Sequence, residues 1–308
     1  MISRQNATCG KLKDGPRLGL VCITAGQAVR YRTMTRTRLL RLSAAEQCQA
    51  LGELYEDNLS RLLRALDFCD QHNIRLYRAT SSLFPLCDED AGVEMLGRLA
   101  SRLSEVGTKA ERLGIRVVQH PDQFVVLSSD EPKVIDTSIR IMQRHMRVLD
   151  YLGLPRSSWS ALILHGGKGG RADRLVRVIS ELPDGIRLRL ALENDDRAYS
   201  ASEILKVCQR VSVPMVFDAH HHLLREGLDD YEDPSMAWFV DASCETWPDP
   251  SWHLVHLSNG RSGIHDPRHS DLITLVPSAF ERVPWIEVEA KGKELAIEHL
   301  RQSWPAAR

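Results

Sequence analysis

Apolar and polar positions along this 308-residue chain follow two alternating rhythms. Short continuous runs rich in Val, Ile and Leu recur, each followed by a longer stretch with helical spacing. The runs are LGLVCI (18–23), IRLYRA (74–79), IRVVQ (115–119), ALILH (161–165), LRLALE (188–193), PMVFD (214–218), HLVHL (253–257) and WIEVEA (285–290), eight in all. Amphipathic stretches over 58–72, 94–114 and 136–153 separate the early runs, and Gly114 and Gly153 stand where helix C-caps belong. Continuous apolar strands between helices predict a parallel sheet covered on both faces. Eight such units over about 270 residues fit a (β/α)8 TIM barrel. A doubly wound open sheet is the rival, but it needs no eighth strand and often carries a Gly-rich first turn. Here ITAGQAVRYRT follows the first strand, with no G-x-G-x-x-G. The expectation is an α/β TIM barrel in one domain over residues 17–308, preceded by a flexible tail over 1–16.

A barrel carries its active site at the C-terminal ends of its strands. The third strand leads into Gln119-His120 and then HPDQF, and the fourth ends in His165 with Gly166, Gly167 and Lys168 beyond it. The fifth ends in Glu193 followed by Asn194, Asp195 and Asp196, and the sixth in Asp218, running into His220, His221 and His222. His253 and His256 lie in the seventh strand, HDPRHSD (265–271) follows it, and the eighth brings Glu287, Glu289 and Lys291. A single His at a strand end is ordinarily a loop residue bonded to backbone, and Asp195 or Asp196 can simply cap the next helix. Six strands delivering His, Asp or Glu to one rim is harder to read that way. Imidazoles with carboxylates are ligands for Zn²⁺ or Mn²⁺, and converging carboxylates without a cation would repel one another. His72, His145 and His299 fall on helical patterns away from the rim and read as surface or core residues.

Two or three adjacent divalent ions suit phosphoryl chemistry, one acidifying a water while others neutralise phosphate oxygens. Metal-assisted sugar isomerisation uses the same ligand set but needs no basic surface. Charge therefore matters next. With 40 Lys plus Arg against 41 Asp plus Glu, a nucleic-acid partner must be met by a local patch. The loop after the first strand supplies one, GQAVRYRTMTRTRLLR, with Arg30, Arg32, Arg36, Arg38 and Arg41 around Tyr31. Lys168, Arg171, Arg174, Arg261 and Arg268 add charge on other rim loops. Such loops are often merely solvated. In HPDQF, Gln123 and Phe124 stand beside a candidate ligand and suit insertion into a base stack. No run approaches the roughly 18 apolar residues of a membrane span, and the first residues lack the apolar core of a secretory signal. Seven cysteines without a CxxC pair fit reduced thiols and a cytoplasmic protein.

LGLVCIT, NLSRLL, IRLYRATSSLFP, HPDQFVVLSS, LHGGKGG, LENDD, FDAHHH, HLSNGRSGIHDPRHSDLI and VEAKGKELAI together resemble the UV damage endonuclease family, from about residue 17 to 300. The resemblance implies a barrel like those of endonuclease IV and xylose isomerase. It implies a metal-dependent enzyme, usually with Mn²⁺ (Zn²⁺ or Co²⁺ being compatible), that nicks damaged double-stranded DNA immediately 5′ of ultraviolet photoproducts and some abasic sites. Carried over position by position, it implies two or three divalent ions held by His120, His165, Glu193, Asp218, His221, His256, His269 and Glu289, with Glu193 bridging two of them. Catalysis would rest on Glu193, His120, His165, Asp218 and Glu289. Lesion and DNA contacts would come from Gln123, Phe124, Arg30, Tyr31, Arg32, Lys168 and Arg268.

Glu289 rather than Glu287 matches the family's VEAK glutamate, although alternation puts both on one face of the strand. Phe124 stands where some members have Tyr. Leu254 stands where some have a chemically modified Lys near the metals, which puts the third metal site in question. A metal-stabilised binding module is disfavoured, since a structural site needs fewer ligands. A monomer without membrane or obligate protein partners completes the expectation.

Overall fold

In the computed structural model the described residues are 12, 15–121 and 124–307. Residues 1–11, 13 and 14 of the expected tail, and Gln123, lie outside them. All eight expected strands are present: β1 (Arg17–Val21), β2 (Leu76–Ala79), β3 (Arg116–Gln119), β4 (Leu162–His165), β5 (Leu190–Glu193), β6 (Met215–Asp218), β7 (Leu254–Leu257) and β8 (Trp285–Val288). They pair in parallel, each with its neighbour in sequence, and β8 closes on β1 to complete a barrel. The rival open sheet is thereby excluded.

The helical shell is longer than the apolar periodicity suggests. The stretch expected over 58–72 begins at Ala44 and runs to Gln71, because Ser43 and Glu46 form a reciprocal capping box that starts the helix early. The stretch expected as one helix over 94–114 is two, Asp90–Arg98 and Ala100–Leu113, stepped at Leu99 so that both halves pack on the 44–71 helix. Gly114 takes the left-handed conformation (φ 63°) that ends the second and turns the chain into β3. Gly153 does the same (φ 70°) before the segment leading to β4. Among the described residues no helix is long and apolar enough to cross a membrane.

Inward side chains divide the barrel into a floor and a mouth. Leu76, Val118, Ile163, Ala191, Val216, Leu254 and Trp285 pack together low in the barrel. Two residues further along each strand, alternation returns to the same face, and there stand Arg78, His165, Glu193, Asp218, His256 and Glu287. The floor is plugged by Arg116, fully buried and in no ion pair among the described residues. Its guanidinium donates to the carbonyls of Trp159 (2.8 Å), Trp252 (2.7 Å) and Ser158 (2.9 Å). It also lies against the rings of Trp159, Trp247 and Trp285 at 5.0–5.5 Å. Burial pulls its pKa down to about 9, with Glu287 opposing. The apolar floor makes the polar mouth above it a one-ended cup.

Candidate metal centre

The mouth is built by strand ends. His120 follows β3, His165 and Glu193 end β4 and β5, Asp218 ends β6, His256 sits near the end of β7, and Glu289 follows β8. Asp218 also caps the helix Ala219–Glu226, its Oδ1 accepting the His221 N–H (2.7 Å). That cap turns His221 back over the barrel, while the two flanking histidines point elsewhere. Ligand-type atoms come together in three sets, each within 4.8 Å: His120, His165 and Glu193; Glu193, Asp218 and His221; Asp218, His256 and Glu289. Glu193 belongs to the first two sets and Asp218 to the last two. His269, on the loop after β7, brings its Nδ1 to 3.9 Å from Glu289. All eight residues implied as ligands thus converge at one end of the barrel.

Several contacts orient these donors. His120 Nδ1 lies 3.1 Å from the Pro121 carbonyl, which leaves its Nε2 facing Glu193, while His221 Nδ1 lies 3.0 Å from the Asn194 carbonyl and 3.5 Å from Glu193 Oε1. Glu193 Oε2, Asp218 Oδ2 and His165 Nδ1 are buried without a hydrogen-bond partner. Orphaned carboxylate oxygens beside imidazoles are what a bound cation would satisfy. The site can hold a metal ion.

The electrostatics describe the same crowding. Burial opposes the charge on Glu193, but His165, His256 and His120 outweigh it and hold the carboxyl well below its ordinary range. Burial likewise lowers His256 and His221, yet the carboxylates win. His256 is raised well above its usual value by Glu193, Glu287 and Glu289. His221 is pushed up to about 9, chiefly by Asp218 and Glu193. For His165, burial prevails and its pKa is lowered.

The two glutamates of β8 separate by depth. Glu287 is fully buried in the deeper layer of the mouth, 2.9 Å from Arg78 Nη1 and 3.2 Å from His256 Nε2. Glu289 stands at the rim and joins the third set, while also accepting from Arg78 Nη1 at 2.6 Å. Arg78 is a site residue that pattern reading missed; its only signal was an arginine at an inward position of an otherwise apolar strand.

Other candidates serve the scaffold. His220 bonds Tyr231 Oη (2.7 Å) and the Asp266 carbonyl (3.0 Å), His222 bonds Ser235 (2.9 Å), and His253 lies at the opposite end of β7, bonded to Ser243 (2.9 Å). Asp195 accepts backbone N–H groups of Arg197, Ala198 and Tyr199, closing its own turn. His145 is buried against Gln119 (3.0 Å).

The basic residues are less free than their count suggests. Arg30 folds into its own loop, donating to the carbonyls of Thr24, Ala25 and Val29. Tyr31 Oη meets Tyr77 Oη at 2.6 Å. Arg32 is exposed but lies 3.3 Å from Asp57. Lys168, Arg171 and Arg174 converge on Asp130, and Arg268 makes a two-pronged pair with Asp266 (2.8 and 3.0 Å). Phe124 is 71% exposed, a large apolar ring in water next to the mouth.

Comparison with known proteins places this geometry in context. Residues 16–306 match the family described as UV-endonuclease UvdE. The chain is 53% identical over 291 residues to a UV DNA damage endonuclease of Nostoc sp., covering 94% of this chain and 90% of that one. It is 52% identical over 293 residues to a UV DNA damage endonuclease of Deinococcus radiodurans, covering 94% and 96%. Among solved structures, SacUVDE shares its fold with a TM-score of 0.78 at 24% identity, over 93% of this chain and 98% of that one.

Proposed function

The chain belongs to the UV-endonuclease UvdE family, and from that premise we propose how its barrel mouth cuts DNA. It is a DNA repair endonuclease for ultraviolet damage. In our reading it nicks duplex DNA immediately 5′ of cyclobutane dimers and 6-4 photoproducts, with some abasic sites as a second class of substrate, and leaves a 3′-hydroxyl and a 5′-phosphate. The observation that carries this reading is the convergence of imidazoles and carboxylates at the mouth, with one buried oxygen each of Glu193 and Asp218 left without a hydrogen-bond partner.

Divalent ions held there would acidify a water for attack on phosphorus and neutralise charge on the phosphate and the departing 3′-oxygen. His120, His165 and Glu193 would hold one ion, and Glu193, Asp218 and His221 a second. A third place is offered by Asp218, His256 and Glu289 beside His269. Leu254 contributes only aliphatic carbon to the floor below, so that place rests on these four alone. The mixed nitrogen and oxygen donors suit Mn²⁺, with Zn²⁺ and Co²⁺ compatible. Neutral imidazoles are required of the histidine ligands, so the carboxylates that now raise His221 and His256 would exchange protons for cations.

On the DNA side, Phe124 with Gln123 fills the gap at a weakly stacked lesion. Arg32, Lys168 and Arg268 meet phosphates, exchanging their present carboxylate partners for them. Arg30 and Tyr31 contribute by shaping the loop that presents Arg32. The enzyme works as a monomer. A labelled duplex with one cyclobutane dimer tests this reading. Cutting at the phosphodiester directly 5′ of the dimer, with an end that a polymerase extends, supports it. A cut elsewhere, or an end that cannot be extended, overturns it.

A further inference from the structure

Beside the third ligand set, on the side formed by β8, β1 and β2, a cavity of about 450 Å³ opens to the rim. Its walls include Arg78, Arg268, His269, Glu289, Lys291 and Lys293, so four of these six side chains are permanent or near-permanent cations. Two of the four are already spoken for. Arg78 is paired with Glu287 and Glu289, and Arg268 with Asp266. Lys291 and Lys293 have no carboxylate within ion-pair distance among the described residues.

The backbone that carries these lysines is held in place with some strain. Lys293 has φ 52° and ψ −120°, a conformation a side-chain-bearing residue rarely takes. Two backbone hydrogen bonds pin the segment to the loop after β7, Lys291 N–H to the Ser270 carbonyl (3.0 Å) and Gly292 N–H to that of Asp271 (2.9 Å). Lys293 is half-buried, and burial lowers the pKa of its ammonium, with Arg78 adding to the effect and Cys22, Glu289 and Glu294 opposing it. A half-buried ammonium beside a second cation, with no hydrogen-bond acceptor or ion-pair partner on either lysine among the described residues, is an arrangement that an anionic ligand completes. Arg78 Nε, also buried and without a hydrogen-bond partner, belongs to the same cavity wall.

We propose that this cavity is a second phosphate subsite, in which Lys293 and Lys291 grip the DNA phosphate adjacent to the one being cut. The proposal rests on the DNA-nicking reading above. Successive phosphates of one strand advance only about 3.4 Å along the helix axis. A strand with its scissile phosphate over the ligand cluster must therefore place a neighbouring phosphate close by, and the cavity adjoins the cluster directly. Gripping that neighbour fixes the strand's register over the ligands. The lysines are thus positioning residues, and they touch no reacting bond.

The test is a methylphosphonate scan. Dimer-containing duplexes, each with one uncharged methylphosphonate near the expected nick, are bound in chelator to the wild type, Lys293→Gln and Lys291→Gln, with folding verified by thermal melts. Wild type should lose roughly tenfold in affinity at one flanking position, as for one charge-assisted contact. Lys293→Gln should be weakened several-fold on unmodified DNA, with its salt slope reduced by about one, and should lose clearly less than wild type at that same position, where Lys291 remains. Lys291→Gln provides a second, independent reading of the same position. Losses from methylphosphonate and substitution that simply multiply at every position would overturn the subsite. A wild-type protein with no preference for the dimer duplex would instead count against the DNA reading itself.

Discussion

Exchanging Glu193 for Gln removes one negative charge from the centre of the ligand cluster while keeping the side-chain volume. Its Oε1 lies 3.0 Å from His256 Nδ1 and 3.5 Å from His221 Nδ1, and its Oε2 lies 3.4 Å from His120 Nε2 and 3.8 Å from His165 Nε2. At about 4 Å and an effective dielectric of about 20, each unit of cationic charge loses about 4 kcal/mol of attraction. Relaxation and entering water recover much of this, leaving about a hundredfold loss of Mn²⁺ affinity and about a thousandfold loss of nicking rate. Titration calorimetry with Mn²⁺ and single-turnover nicking at saturating metal measure the two. Affinity for a dimer duplex in chelator should stay within a few-fold of wild type, because no DNA contact is assigned to Glu193. In the metal-free variant His221 should also titrate below its present value of about 9, since Glu193 is one of the carboxylates holding it up. Near-normal turnover of Glu193→Gln at saturating metal would refute the bridging role.

Three further predictions address other parts of the account. The double substitution Gln123→Ala/Phe124→Ala should abolish discrimination between damaged and intact duplex without changing metal content; an unchanged affinity ratio in a folded, metal-loaded variant removes the pair from recognition. Glu287→Gln should cost about 3 kcal/mol of stability in chemical denaturation by leaving Arg78 and His256 half-paired, while metal content stays at the wild-type value; loss of metal would show that Glu287 is itself a ligand. Asp150 is pushed up by burial but pulled further down by Arg156 and Arg189, so its folded pKa lies below the unfolded one. Its stabilisation is therefore present above about pH 4 and lost as pH falls through the folded value, and the stability gap between wild type and Asp150→Asn should close on acidification; a gap that persists to about pH 2 would dismiss the linkage.

The barrel was legible because its strands are buried on both faces and so appear as unbroken apolar runs, and the ligand cluster because such strands expose polar groups only at their ends. Interior arginines were not legible. Arg78 and Arg116 look like interruptions in strands, and only the closed barrel shows one paired with β8 carboxylates and the other plugging the floor among tryptophans. The basic loops were misweighted for a related reason. Composition counts Lys168, Arg171 and Arg174 as free charge, but the carboxylate that gathers them, Asp130, lies far enough along the chain that only the fold brings it near. The same holds for the FDAHHH run, where one helix cap decides that His221 alone faces the cluster. Spacing could not choose between Glu287 and Glu289 because they share a face; depth in the barrel separates them.

In the proposed reaction the converged imidazoles and carboxylates cut DNA at damage through bound divalent ions. It is tested most directly by stripping the protein with a chelator, then following one labelled duplex with a single cyclobutane dimer and its undamaged twin, with and without added Mn²⁺. Neither duplex should be cut without metal, and adding Mn²⁺ should give a single nick immediately 5′ of the dimer with the undamaged twin intact. Equal nicking in the stripped and the reloaded protein, or equal cutting of both duplexes, would contradict it.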